Sequence, residues 1–314
     1  MTELQRAVRN YLALRRGLGF KLRLHGPKLQ DFASFLDRKR SSHVTTALAL
    51  EWATQRQHHH PSLWAARLSM VRGFARYRSA TDPATEIPPL GLLPFRPPRA
   101  RPYLYSPQEV HCLLDAARAR PSSFSLSPLT HYCFFGLLAV TGMRVSEAIN
   151  LLNRDVDWSE DILTIRDTKF GKSRLVPLHL STRKVLANYA RQRDNIFPPQ
   201  PDSHFLVNQK GRRLDSGTLR RIFYALSRKI GLRSAAARRG PRLHDFRHRF
   251  AMDTLLRWYR SGDDPTRRLP VLSTYLGHAH VTDTYWYLTG TPELLGAAGK
   301  RLEKRWEGLN AGRR

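Results

Sequence analysis

Apolar side chains in the first eighty residues return every three or four positions. Leu4, Val8, Tyr11 and Leu12 form one stripe. Leu29, Phe32, Phe35 and Leu36 form a second, and Leu48 with Trp52 a third. After Pro61, the set Trp64, Leu68, Val71, Phe74 and Ala75 marks a fourth. This spacing lays each set along one face of a helix, so residues 1–82 read as a small helical domain. The opposite face of the fourth helix carries Arg67, Arg72, Arg76 and Arg78. Residues 83–102 hold seven prolines, each of which fixes φ and removes a donor. That stretch reads as a stiff, extended linker, made basic by Arg96, Arg99 and Arg101.

A second pattern opens at Ser106-Pro107-Gln108-Glu109, a capping box with proline at the first helical position. A long apolar helix is expected over 129–140 and a short one from Val145 to Leu152. Ile162-Leu163-Thr164-Ile165 and Leu175-Val176-Pro177-Leu178 are strand-like, and Lys169-Phe170-Gly171-Lys172 joins them as a basic hairpin tip. Helices are expected near 182–192, 216–230, 242–258 and 266–276. A last one, near 292–308, carries Leu294, Leu295, Leu302 and Trp306. The chain is thus mainly α with a small β-hairpin (α+β). Its expected divisions are a helical domain 1–82, a linker 83–102, a second domain 103–291 and a C-terminal helix 292–314.

Charge changes this picture more than composition does. The 314 residues carry a net charge of +28. Fifteen basic and five acidic side chains fall in residues 1–82, and 35 and 19 in residues 103–314. So large a surplus repels itself in a compact fold and points to a polyanion that touches both parts, as nucleic acid in a clamp would. Residues 208–242 hold eleven basic side chains, among them Lys210, Arg212, Arg213, Arg220, Arg221 and Arg242, against the single acid Asp215. A solvated helix normally mixes signs, so this run is the best candidate for a DNA-contacting face. Arg67, Arg72, Arg76, Arg96, Arg99, Arg101, Lys172 and Arg174 are the further DNA-binding candidates. The two cysteines, Cys112 and Cys133, have no metal or disulfide spacing. His58-His59-His60 reads as a solvated loop against Pro61, so no metal site is expected. With no apolar run long enough to span a bilayer, the expectation is a soluble, cytoplasmic protein, nucleoid-associated in a bacterium.

The chemistry-bearing residues lie in four segments. Thr141-Gly142-Met143-Arg144-Val145-Ser146-Glu147 places an arginine where one helix ends and the next begins, beside backbone N–H groups that face an anion. His244-Asp245-Phe246-Arg247-His248 sets His244 and Arg247 three apart, on one helix face. Lys169 at the hairpin tip has the reach to protonate a leaving oxygen. Leu276-Gly277-His278 makes a helix-ending corner, and Tyr285 and Tyr287 follow. A guanidinium fork matches two phosphate oxygens and stays charged. Cations around a tyrosine lower the cost of ionising a phenol whose free pKa is about 10. The set suits attack on a phosphodiester, with no metal or nucleotide cofactor required.

These segments resemble the boxes of the tyrosine recombinases, the phage integrase family. The resemblance makes Arg144 the catalytic arginine of the first box and Glu147 its acidic helper. It identifies Arg174-Leu175-Val176-Pro177-Leu178 as the strand after the catalytic hairpin. Counting back from that strand selects Lys169 rather than Lys172. The second box gives His244 and Arg247, with Phe246 in place of the commoner leucine, and the Gly-His corner gives His278. The family's nucleophile follows that histidine by nine residues, which selects Tyr287 over Tyr285. The motifs cover residues 141–287, and six functional positions besides the helper Glu147 stand in the right order and spacing. The resemblance implies a C-shaped clamp on double-stranded DNA and a 3′-phosphotyrosyl intermediate. It further implies a Holliday junction within a homo- or hetero-tetramer on paired sites, and a last helix that packs on a neighbouring protomer. Two other readings stand beside it: a type IB topoisomerase-like relaxing enzyme, and a non-catalytic DNA-binding accessory protein.

Overall fold

A computed structural model describes the chain apart from Lys21, Arg23, residues 56–59, 94–101 and 167–172, Ala235, Arg238, Arg239, and residues 289–291 and 312–314. Within the last helix it leaves out the side chains of residues 292, 304, 305 and 307–311. The chain separates into two compact units, Met1–Ala100 and Arg101–Arg314.

The first unit contains four helices: α1 (Glu3–Gly17), α2 (His25–Arg38), α3 (Thr46–Thr54) and α4 (Pro61–Arg78). Local chemistry starts them where they start. The Thr2 and Thr45 hydroxyls accept from the Gln5 and Leu48 amides, and Pro61 opens α4 where no amide donor is needed. The apolar stripes meet in one core around Leu4, Val8, Leu12, Phe32, Phe35, Trp52, Val71 and Phe74.

Three of the basic residues assigned to an exposed face of α4 turn out to be internally engaged. Arg67 is 6% exposed, donates to the Trp52 carbonyl (2.8 Å) and lies 3.7 Å over the Trp52 ring. Its long stem lets the guanidinium fold onto the core and satisfy a helix-end carbonyl, which a charge count along the sequence does not reveal. Arg72 donates to the Pro88 and Pro89 carbonyls at 2.7 and 2.8 Å, and Arg78 pairs with Glu3 and Asp82. Arg76 is exposed. The segment expected to be a stiff, extended linker is docked along its first part. The Glu86 amide donates to Val44, Thr85 is buried, and Leu93 packs against the helical core. Arg96, Arg99 and Arg101 lie outside the described residues, as do His58 and His59.

The second unit begins with α5 (Pro107–Arg118), where the Ser106–Glu109 capping box is formed in both directions. The apolar α6 (Leu126–Thr141) packs against α5 and against α8 (Leu180–Asp194). Between them come α7 (Val145–Asn150) and a three-stranded antiparallel sheet of β1 (Val156–Asp157), β2 (Ile162–Ile165) and β3 (Arg174–Pro177). Leu163 pairs with Val176, and both face the core. The two-residue β1 was not expected, since two positions show no alternation. The hairpin tip, with Lys169 and Lys172, lies outside the described residues.

The remaining helices are α9 (Ser216–Lys229), α10 (Asp245–Arg260), α11 (Pro265–Leu276), α12 (Thr282–Tyr285) and α13 (Pro292–Ala311). A short 3₁₀ turn, Trp286–Leu288, joins α12 to the last segment. Helices α10 and α11 build a second, smaller core that takes in Tyr287 and Leu294. Helix α13 therefore folds against its own unit through Leu294, and the Arg301 guanidinium donates to the Asp263 carbonyl. Leu295, Leu302 and Trp306 stay exposed. No helix among the described residues is long and apolar enough to cross a membrane.

Candidate active site

Two glycine helix ends frame the site. Gly142 closes α6 with φ 61° and Gly277 closes α11 with φ 66°, both left-handed. A Cβ at Gly142 would lie 2.6 Å from the Phe250 ring, and one at Gly277 would lie 2.9 Å from the Arg174 guanidinium. Both conformation and space therefore demand glycine. Helix ends present carbonyls with no partner in the helix and a partial negative charge, and guanidiniums are drawn to them. Arg247, 1% exposed, donates to the Gly142 carbonyl at 2.9 Å and to Leu276 at 2.6 Å. Arg144 donates to the Gly277 carbonyl at 2.8 Å. Two arginines 103 positions apart in sequence thus share the end of α11, and Arg247 takes the end of α6 as well.

Glu147 ties this frame together. Its Oε2 accepts from the Arg144 amide (2.8 Å) and its Oε1 from Arg144 Nη1 (2.8 Å), so arginine and glutamate close the first turn of α7 reciprocally. From β3, Arg174 adds a bidentate pair to the same carboxylate at 3.0 and 2.7 Å. Burial alone would raise the Glu147 carboxyl, but the Arg174 and Arg144 hydrogen bonds and charge outweigh it and hold the group down at about 2. Arg174 was expected on the DNA surface. It is instead 8% exposed and turned inward, because the buried carboxylate needs a second cation.

Tyr287 is 5% exposed, on the 3₁₀ turn. Its ring stacks on His278 (centroids 5.9 Å, planes 15° apart) and meets His248 edge-on at 5.3 Å. Its phenol interacts with Arg247 through charge and hydrogen bonding. Burial lowers Arg247 to about 10, with Arg144 adding to the effect and Tyr287 opposing it, and the guanidinium stays charged at neutral pH. His278 Nδ1 lies 2.8 Å from the buried Thr284 hydroxyl. Burial first, then Arg247 and Arg144, lowers His278 to about 4. Burial first, then His244, does the same to His248. Both imidazoles are neutral at pH 7. His244 sits at the start of α10, exposed, its ring 5.0 Å from His248. Tyr285 points away, 49% exposed.

Of the expected site residues, Arg144, Glu147, Arg247, His278 and Tyr287 come together, with His244 reaching them through His248. Lys169 lies outside the described residues. His248 and Thr284 are engaged in the site although the sequence reading gave them no role. His248 follows His244 by four positions, one helical turn, which was the available signal.

Among the basic candidates in residues 208–242, Lys210, Arg212, Arg213, Arg220 and Arg221 are exposed on or just before α9. Arg213 is steadied by Asn150 at 2.7 Å. Arg242 is partly exposed but held by the buried Asp245, which accepts from its amide and its guanidinium, each at 2.8 Å. Arg233, counted in the same run, is buried over Tyr224 and donates to the Pro241 carbonyl.

Comparison with known proteins identifies the family. The model of the Phage integrase family matches residues 105–293. A relative from Sinorhizobium fredii (strain NBRC 101917 / NGR234), provisionally named integrase/recombinase y4rB, is 56% identical over 98% of this chain and 99% of its own. The tyrosine recombinase XerD of Rhizobium meliloti (strain 1021) is 31% identical over 82% of this chain and 81% of its own. Among solved structures, XerH bound to palindromic difH in a post-cleavage complex aligns with a TM-score of 0.64. It has 19% identity over 89% of this chain and 79% of that one. The Tn1549 transposon integrase with transposon right end DNA also aligns at 0.64, with 16% identity over 95% and 98%. The fold is that of DNA recombinases. The chain belongs to the phage integrase family, the tyrosine recombinases, enzymes that act on DNA.

The buried histidines set a pH dependence of stability. His131 in α6, 6% exposed, is lowered to about 4 by burial and then by Arg120. An unfolded histidine takes up its proton near 6.5, while His131 and His248 resist until about 4. Their contribution is complete above about pH 6.5 and is lost as pH falls towards 4, by up to about 1.4 kcal/mol per pH unit for each. Urea unfolding from pH 7 to 4 should show this fall flattened in a His131→Gln/His248→Gln double variant. Equal slopes in the two proteins contradict the assignment.

Proposed function

We propose that this chain is a site-specific DNA recombinase of the integrating, transposing or resolving type, which cuts and rejoins duplex DNA through Tyr287. The observation that carries the reading is the position of Tyr287. It is buried beside Arg247 and flanked by His248 and His278, whereas its neighbour Tyr285 faces solvent. In the proposed reaction the Tyr287 phenol gives up its proton to water as its oxygen attacks the scissile phosphorus. The bond to the 5′-oxygen breaks, and a 3′-phosphotyrosyl link forms. Arg144, Arg247, His244 and His278 hold the non-bridging oxygens, where charge grows in the transition state. Lys169 delivers the proton to the departing 5′-oxygen. Glu147 orders Arg144. The phosphotyrosyl bond keeps the energy of the diester, so a partner strand's 5′-hydroxyl reseals it through a Holliday junction without nucleotide hydrolysis. Guanidinium charge stands where another enzyme would use a metal ion.

On this reading the helical first unit and the exposed Lys210, Arg212, Arg213, Arg220 and Arg221 contact double-stranded DNA, together with Arg76 and Lys172. The DNA-bound XerH and Tn1549 integrase complexes support a DNA partner for this fold. Leu295, Leu302 and Trp306, exposed on α13, supply the contact between protomers in a tetramer on paired sites.

Duplexes spanning the DNA around the protein's own gene, nicked to trap cleavage, test the nucleophile. Wild type and Tyr285→Phe should give a covalent adduct on a denaturing gel, and Tyr287→Phe should give none while binding as tightly. An adduct of normal yield from Tyr287→Phe refutes the assignment. For the tail, a Leu302→Ser/Trp306→Ser variant should bind one site normally and lose bridged complexes on paired sites in a gel-shift assay. Unchanged bridging removes α13 from the assembly.

A further inference from the structure

We infer that Arg174 is a positioning residue for the strand-cleavage reaction, acting on Arg144 through their shared carboxylate, Glu147, and not a contact to DNA. This rests on the recombinase reading above. Three separate parts of the second unit meet at this one side chain. Its two terminal nitrogens grip both oxygens of Glu147, at 3.0 and 2.7 Å. The same carboxylate holds the Arg144 amide and Nη1 at 2.8 Å each. The Arg174 guanidinium also fills the space beside Gly277, where a Cβ would come within 2.9 Å of it. The Gly277 carbonyl is in turn the acceptor for Arg144 Nη2 at 2.8 Å, and His278 follows it directly in sequence. Arg174 is the first residue of β3, two positions after the segment that carries Lys169 and Lys172.

The physical role follows from this placement. Arg144 alone gives each oxygen of Glu147 one donor, Nη1 to Oε1 and the amide to Oε2, and its Nη2 is committed to Gly277. Without Arg174 each oxygen loses its second donor and the buried charge is left undercompensated. It would rotate towards the remaining cation or towards water, and Arg144 would move with it. A lysine in place of Arg174 supplies charge but a single donor point in place of the planar fork. Arg174 also packs the start of β3 against Gly277, the helix end whose carbonyl takes Arg144.

Because Arg174 is 8% exposed and its terminal nitrogens are taken by Glu147, it releases no counterion from DNA on binding. Substituting a phosphate contact lowers the slope of log affinity against log salt by about 1. The test uses the full-length protein with Arg174→Met and Arg174→Lys, and nicked DNA from the flank of its own gene. Salt-dependent affinity, single-turnover adduct formation and thermal unfolding are measured together. The expected result for Arg174→Met is an unchanged salt slope and adduct formation slower by about ten- to a hundredfold at saturating DNA. Arg174→Lys, which keeps the charge and the fold, recovers part of that rate. Adding Glu147→Gln to Arg174→Met slows the reaction little further, since the two act as one unit. A salt slope lowered by about 1 overturns the inference, as does an adduct rate at the wild-type level. So does a rate loss fully accounted for by the unfolded fraction. Should wild type itself form no adduct, the recombinase reading fails, and the salt slope of Arg174→Met still decides whether Arg174 meets DNA.

Discussion

A single buried carboxylate sits beneath the whole site. Glu147 is taken out of water on α7, and a charge so placed persists only where cations and hydrogen bonds replace its hydration. Arg144 and Arg174 do so, each bonding both of its oxygens, and hold it at about 2. The arrangement constrains far more than Glu147. It fixes two guanidiniums, Arg144 at the start of α7 and Arg174 at the start of β3. It also joins the end of α6, the strand β3 and the Gly277 corner, which are remote from one another in sequence. The two left-handed glycines complete this frame, because their helix-end carbonyls take the guanidinium donors that Glu147 leaves over.

The same frame decides the balance of charge. Two guanidiniums bind the one carboxylate and a third, Arg247, is held by helix-end carbonyls, so the site keeps a positive surplus that an incoming phosphate would neutralise. The histidines add no further charge at neutral pH, since burial and the neighbouring guanidiniums oppose their protonation. His278 can therefore offer a neutral ring N–H or lone pair, with its orientation set by Thr284. Tyr287 is packed by ring contacts with His278 and His248, so its hydroxyl approaches Arg247 from a fixed direction.

Much of this was legible in the sequence, for identifiable reasons. Periodic stripes such as Leu29–Leu36 and capped starts such as Ser106–Glu109 depend on local chemistry, and the helices appear where those signals lie. The order and spacing of the boxes singled out Arg144, Glu147, Arg247, His278 and Tyr287, and the fold brings these five together. The two-residue strand β1 and the single helical turn α12 are too short to show their period. The arginines were the harder matter. Arg67, Arg174 and Arg233 look like surface charge in a basic chain, yet each is folded inward onto a carbonyl or a carboxylate. Nothing local to Arg174 announces that its partner lies 27 positions earlier. Net charge located the partner class, and only the fold separates arginines that meet DNA from arginines that hold the protein together.

The central claim is that the negative charge of Glu147 orients Arg144 for the reaction. It is tested most directly with Glu147→Gln, which keeps the shape and removes the charge. The measurement is the single-turnover rate of covalent adduct formation on saturating nicked DNA, taken beside DNA affinity. The account predicts a rate lower by about ten- to a hundredfold with affinity undiminished, since misplacing a catalytic group by an ångström is enough for such a loss. A Glu147→Gln protein that cleaves at the wild-type rate would contradict it.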